Sequence, residues 1–288
     1  MTTPGPAPTP KSSLARTVVW TLATLALLAG LVMVPGRRAW KEYQELPKSG
    51  REAEDSVPIG YLGLNYRRSY NDRPPVFHFE KDGRKVLFAA RGDAGQSDEF
   101  YDVSEAAFPF QGLSGGFGRD SIPGIDYPIL EPPTSERGRR LRSRQAVYGL
   151  VLDAGPRAYP LVLLAKIEVV NDRDGTDPFV VVFNRGHDTA QSFERRIQGR
   201  EVTFGTTGYT LPTSPDGSSG KPLLYDRRTK SLWLPEDQAL VCVSGASKGT
   251  SLPTWRPVEK TTWSEWVARY PKTLVLFGND RSKPIPSE

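Results

Sequence analysis

A single cysteine, Cys242, stands in 288 residues, so no intrachain disulfide can form. Histidine is nearly as scarce: there are two, His78 and His187, neither with a second His or a Cys nearby. One imidazole makes a poor metal centre, since zinc sites generally take three or four N, S or O ligands. Neither a metal nor a cofactor is expected on these grounds. Nucleotide signatures are missing too. Gly217-Ser218-Ser219-Gly220-Lys221-Pro222 lacks the P-loop spacing and the hydroxyl residue after the lysine, and Gly115-Gly116-Phe117-Gly118 is not followed by the third glycine of a dinucleotide turn. His-Glu-x-x-His and Cys-x-x-Cys are absent, and no internal repeat is found.

Long apolar runs are equally rare. The exception is Thr17 to Val34, 18 residues bounded by Arg16 and by Pro35-Gly36-Arg37-Arg38. As a helix it would reach roughly 27 Å, close to the hydrocarbon thickness of a bilayer at about 30 Å. It exceeds the usual h-region of a cleaved signal peptide, and no good Ala-x-Ala site follows it. A single-pass membrane anchor over 17–34 is therefore expected, after a disordered tail at 1–16 whose first ten residues are rich in Pro and Thr. A charged, irregular linker follows at 35–60.

What is present points to strands. Gly (27) and Pro (26) are abundant, and 12 Phe, 11 Tyr and 6 Trp can fill a sizeable core. Val76-Phe77-His78-Phe79-Glu80 and Lys85-Val86-Leu87-Phe88-Ala89 flank Asp82-Gly83, the pattern of a β-hairpin. His78 falls in a strand and takes a structural role. Phe179 to Phe183 is continuously apolar, as in a strand buried on both faces. Elsewhere, runs of four to eight residues are separated by Gly, Asp-Gly or Asn-Asp turns. Thr262 to Tyr270 is the clearest helix of the soluble part. Thr262 and Glu265 form a capping box, Trp263, Trp266 and Tyr270 share a face as core anchors, and Pro271 ends it. The expected fold is mostly β, with α+β as the alternative: a compact β-rich domain with few helices, preceded by one transmembrane helix. Cys242, within Ala239-Leu240-Val241-Cys242-Val243, is expected to be a buried structural thiol.

Several blocks carry a family resemblance in order. They include Gly118-Arg119-Asp120-Ser121-Ile122-Pro123-Gly124-Ile125-Asp126, Tyr148-Gly149-Leu150-Val151 and Gly155-Pro156-Arg157-Ala158-Tyr159-Pro160-Leu161. Glu168-Val169-Val170-Asn171-Asp172, Leu224-Tyr225-Asp226-Arg227-Arg228-Thr229 and Thr262-Trp263-Ser264-Glu265-Trp266 follow. Together they resemble the bacterial family known as domain of unknown function 3179, over about 115–277. The resemblance implies a core domain at 113–280, a family-variable hairpin region at 61–112 and a tail at 281–288. Members of that family usually carry Tyr-Cys-Pro-Leu-Cys-Gly-Thr-Ala, some with selenocysteine at the second cysteine, which implies thiol or selenol redox chemistry. This chain reads Phe183-Asn184-Arg185-Gly186-His187-Asp188-Thr189-Ala190. Thr189 and Ala190 keep the frame, whereas Asn184 and His187 stand at the sulfur positions. The family's Asn-Trp-His-Glu becomes Ala165-Lys166-Ile167-Glu168, so its His is replaced by Ile167. Asn and His cannot cycle through a disulfide, and thiol oxidoreductase activity is not expected.

The leading expectation is thus a membrane-anchored, non-catalytic binding or interaction module with a degenerate thiol site. A second reading is an enzyme with rebuilt hydrolytic or metal-assisted chemistry around His187, with Glu168 or Asp188 orienting it and Asp226 as a further candidate. Arg157 and Arg227 match family positions and could contact an anion, or could form Arg–Asp pairs that hold strands together. Arg137, Arg139, Arg140, Arg142 and Arg144 form a basic loop that, with Glu136, carries +4 of the formal +5. No aromatics are interleaved, which disfavours nucleic acid. A solvated loop is the plain reading, and anionic lipid headgroups or a lipid-surface structural role the alternative. Positive charges after the span (Arg37, Arg38, Lys41, Lys48) outnumber those before it (Lys11, Arg16) and favour a cytoplasmic domain. The family resemblance implies export, and an extracytoplasmic domain on a single-pass cell-membrane protein is the expectation retained.

Overall fold

The computed structural model of the protein describes residues 78–90, 92, 97–109, 113–115, 118–214 and 220–283, apart from the side chains of His78 and Phe79. The tail, the apolar run at 17–34, the linker and the start of the 61–112 region, with Val76 and Phe77, lie outside these residues. So do Gly116, Phe117 and Gly217 to Ser219. Among the described residues no helix is long and apolar enough to cross a membrane.

The first strands are β1 (His78–Lys81), β2 (Arg84–Ala90), β3 (Glu99–Asp102), β4 (Ser114–Gly115) and β5 (Pro128–Glu131). Next come β6 (Ala146–Leu152), β7 (Gly155–Pro160), helix α1 (Leu161–Ile167), β8 (Val169–Asp174), β9 (Asp177–Asn184) and β10 (Thr189–Glu194). Two short strands, β11 (Arg196–Ile197) and β12 (Arg200–Glu201), lead to β13 (Phe204–Pro212), β14 (Gly220–Asp226) and β15 (Leu232–Pro235). The chain then runs through β16 (Ala239–Ser244), β17 (Ser251–Pro253), β18 (Glu259–Thr262), helix α2 (Trp263–Arg269) and β19 (Leu274–Asn279).

These strands form a stack of sheets, because successive side chains on a strand face opposite ways. The hairpin β1–β2, turning on Asp82 and Gly83 with φ of 52° and 73°, joins β3 in a three-stranded sheet. Leu87, Tyr101 and Val103 of that region pack on Tyr209, Leu223, Tyr225 and Leu232 of the six-stranded sheet β17-β16-β15-β14-β13-β4. Leu224, Trp233, Leu240 and Cys242 face the other way, onto Val180 and Val182 of the sheet β10-β9-β8. Phe179, Val181 and Phe183 leave the far side of β9 and meet Tyr148, Leu150 and Tyr159 of the mixed sheet β18-β6-β7-β19-β5. Behind it, Val147, Ala158 and Val275 pack on Trp263 and Trp266 of α2. The domain is β-rich, as its composition implied, and the unbroken apolar run of β9 follows from its lying between two cores.

One local expectation is corrected, and one helix was not foreseen. Asn171-Asp172, expected as a turn, lies inside β8, where both residues are buried. Leu161 to Ile167, for which the sequence suggested no element, is α1, opened by Pro160 as N-cap. Its Leu163, Leu164 and Ile167 line the inner face at helical spacing, a pattern that an almost wholly apolar run hides. The capping box of α2 forms as expected: Thr262 Oγ1 accepts from the Glu265 amide, and Glu265 returns a bond to the Thr262 amide. Trp266 also donates from Nε1 to Thr273 Oγ1 (2.9 Å), and its ring lies tilted at 47° to that of Tyr270, with centroids 4.4 Å apart.

Gly149 of β6 lies against the Trp266 ring, leaving no room for a methyl. Gly149→Ala is expected to cost about 1–3 kcal/mol through overpacking. In Gly149→Ala/Trp266→Leu the loss is expected to be less than the sum of the single losses, read as denaturant midpoints.

Candidate functional site

The segment that differs most from the expected redox motif forms the turn between β9 and β10. Asn184 ends β9 and pairs with Thr189, the first residue of β10, leaving Arg185, Gly186, His187 and Asp188 as the loop. Asn184 is buried and accepts at Oδ1 from the His187 amide (3.2 Å), so it closes the loop as an acceptor for the backbone three residues on. His187 itself is exposed, its Nε2 within 3.4 Å of Thr213 Oγ1 beyond β13. Asp188, at a φ of 50°, accepts from the Tyr148 hydroxyl through both backbone and carboxylate oxygens and pairs with Lys260 of β18. Burial, reinforced by Asp188, pushes the Tyr148 hydroxyl well above its ordinary pKa.

Glu168 stands beside this turn and follows α1. Its φ of 57° is a left-handed value usually left to glycine at a helix end, and its amide donates to Leu164 O (2.9 Å). Its carbonyl accepts from the Phe183 amide (2.7 Å), tying the helix end to β9, and its carboxylate meets Arg185 at 3.2 Å. The structure thus joins Glu168 to the turn through Arg185 and sets His187 against Thr213. Ile167, one residue earlier, is fully buried in the core.

The remaining candidates enter separate hydrogen-bonded groups. Arg157 of β7 donates to Asp172 Oδ1 (2.7 Å) and to the Arg173 carbonyl, while the Tyr159 hydroxyl holds Asp172 Oδ2 (2.7 Å). Asp226 is wholly buried at the end of β14, where it accepts from Thr229 and from Trp233 Nε1 (2.9 Å). Arg227 turns the other way, to Asp120 (2.7 Å) and Asp126 (3.2 Å), with the Tyr225 hydroxyl donating to Asp120 at 2.5 Å. Burial raises the Asp126 carboxyl, partly opposed by Arg227. Asp120 and Asp126 begin and close the loop after Gly118, and Asp120 takes a φ of 53°. Only their place in the family-like block pointed to them; nothing in residue type announced the Asp120–Tyr225–Arg227 contact.

Cys242 of β16 is buried, its thiol within 3.4 Å of the Ser244 carbonyl, and burial pushes its pKa up to about 11. It lies in the wall of a cavity of about 430 Å³ with Phe108, Leu211, Leu234, Val241 and Lys248. Gly112-Leu113-Ser114-Gly115-Gly116 carries the Gly-x-Ser-x-Gly spacing of a serine nucleophile. Ser114, however, sits in edge strand β4 against Thr210, and the next element is strand β5, whereas a nucleophile turn runs from strand into helix. Among the described residues no three His, Cys, Asp or Glu side chains converge as metal ligands. In the basic loop, Arg137 pairs with Glu131 and Arg140 with Glu136, while Arg139, Arg140, Arg142 and Arg144 are exposed.

A family model matches residues 119–284. The chain belongs to the family described as protein of unknown function (DUF3179). The match begins at the loop that carries Asp120 and runs past β19, so it takes in the β9–β10 turn, the Arg157–Asp172 pair and both helices. No curated protein and no solved structure matches the chain.

Burial lifts the Glu168 carboxyl above its ordinary value of 4.5, against a smaller opposite pull from Arg185. The folded state therefore holds this proton more tightly than the unfolded chain. The resulting contribution to stability is whole below pH 4.5 and is lost as pH rises through the raised folded value. Glu168→Gln removes the titration and is expected to flatten part of the fall in stability toward neutral pH. Denaturant midpoints across a pH series measure this; coincident profiles for the two proteins would count against it.

Proposed function

We propose that this family member is a single-pass, membrane-anchored binding module of the cell envelope, its domain extracytoplasmic, in which the ancestral thiol site no longer performs redox chemistry. One observation supports the reading: Asn184 and His187, which stand in the sequence where the family resemblance calls for sulfur, lie in the β9–β10 turn, and Asn184 accepts the hydrogen bond that closes it. Ile167, in place of the resemblance's histidine, contributes an apolar side chain to the core, so this position supplies no proton carrier. The remaining thiol belongs to a different sheet, and its raised pKa keeps it protonated at neutral pH, which makes it a weak nucleophile. What survives is an exposed, polar turn on a rigid scaffold, with an imidazole, two ion pairs and a phenol. Such a surface suits recognition of a protein partner, because side chains held by their neighbours lose little freedom on binding.

The purified chain is expected to show no thiol–disulfide turnover above background; turnover that survives Cys242→Ser would overturn the reading. The anchor is tested separately. Alkaline carbonate is expected to leave the full chain in the membrane pellet, and deletion of residues 17–34 to release it. Release of the intact chain would remove the anchored part of the proposal.

A further inference from the structure

The arginine loop is more firmly built than a solvated charge run needs to be. Ser135 accepts at Oγ from the Gly138 amide (2.9 Å), and its own amide donates to Pro132 O (3.0 Å). The carbonyls of Pro132 and Pro133 crowd Gly138 so closely that a side chain would not fit there. Residues Gly138–Arg140 make a 3-10 turn, Leu141 packs beside the Trp266 cluster, and the Gln145 amide returns to Arg142 O (2.9 Å). At its far end the loop is tied to α2, since the carbonyls of Ser143 and Gln145 accept from the Ser264 and Trp263 amides (2.9 and 2.8 Å). The segment is therefore fixed at both ends and in the middle.

This framework sorts the arginines. Arg137 turns in, paired with Glu131 and lying over the Phe277 ring at 5.3 Å. Arg140 meets Glu136, and Arg139 gives Nε to the Ser135 carbonyl while the residue stays exposed. Arg142 and Arg144 are exposed as well. Five arginines against Glu131 and Glu136 leave a local charge of +3. Residues 131–145 contain no aromatic side chain, so the stacking that single-stranded nucleic acid needs is missing. Guanidinium groups present planar donor forks that match phosphate oxygens, and a rigid backbone displays them without an ordering cost on binding.

We propose that Arg139, Arg142 and Arg144 form a contact face for anionic phospholipid headgroups of the membrane that carries the chain, an inference that rests on the anchor at 17–34. The tether keeps the face close to the bilayer, which raises its effective concentration there.

The test uses the full chain in nanodiscs of phosphatidylcholine alone or mixed with phosphatidylglycerol, with arginines labelled by phenylglyoxal and read by peptide mass spectrometry. Labelling of Arg139, Arg142 and Arg144 is expected to slow on the order of fivefold on the anionic discs, and to recover at high salt. Arg196 of β11, paired with Asp177, serves as the internal reference. Labelling of Arg140, exposed beside this face, is expected to slow as well, and to lose that dependence on lipid in Arg139→Gln/Arg142→Gln/Arg144→Gln. Equal labelling on both discs overturns the inference. So does protection by soluble polyphosphate or an oligonucleotide with none on the anionic discs. If the chain is not retained by discs, the anchor reading fails on its own. The same labelling with anionic vesicles then decides: slowed labelling sustains the headgroup contact, and unchanged labelling overturns it.

Discussion

The fold depends on a row of buried polar side chains along β8. Asn171, on one face, donates from Nδ2 to Phe204 O and accepts at Oδ1 from the Phe204 amide, bolting β8 to the start of β13. The same amide group reaches Asp126 (2.9 Å) in the loop before β5. Asp172, on the other face, holds Arg157 and Tyr159 of β7, and Asp174 accepts the amides of Asp153 and Ala154 in the β6–β7 turn. One short strand is thereby hydrogen-bonded to the sheets on either side of it. Apolar contact alone would hold these layers together but would let them slide, because the hydrophobic effect has no direction. Paired polar groups in a dry interior fix the register, since any shift leaves a donor or an acceptor unmet at a cost of about 1–3 kcal/mol each.

Arg195 completes this arrangement. It is almost fully buried, donates to the carbonyls of Phe179, Val202 and Asp172, and pairs with Glu201 at 2.5 Å. Burial draws its pKa below the ordinary arginine value, against the pull of Glu201. The guanidinium thus gathers chain segments from β8, β9 and the approach to β13. Such a group supplies specificity of arrangement more than net stability, because desolvation offsets much of its electrostatic gain.

With the layers fixed, the β9–β10 turn is held at one end of the stack, and its chemistry becomes a matter of which side chains occupy it. The left-handed backbone at Glu168 and Asp188 persists there although neither residue is glycine. An L residue bears a cost of roughly 1–2 kcal/mol in that conformation. Here the surrounding bonds over-determine it: the Phe183 amide on one residue, Tyr148 and Lys260 on the other. The groups held in this frame are suited to hydrogen bonding and ion pairing. The arginine loop lies elsewhere, against α2, so two distinct surfaces are displayed by one rigid core.

Much was legible in the sequence where a signal is local. The Asp82-Gly83 hairpin, the unbroken run of β9 and the Thr262–Glu265 capping box each depend on neighbours a few residues apart, and each formed as read. Family membership was legible too, because block order survives substitutions. The sequence also settled that no thiol pair can act in this chain, since composition alone decides it. Local reading failed at Asn171-Asp172 and did not foresee the helix Leu161–Ile167. Polar residues favour turns only until buried partners far along the chain satisfy them, and an all-apolar run shows no periodicity to separate helix from strand. The partners of Arg157, Arg227 and Glu168 were likewise out of reach, with Asp120 lying 107 residues from Arg227. Tertiary structure alone decided them, because a buried charge takes whichever partner the packed layers bring within reach, and that is set by the whole stack.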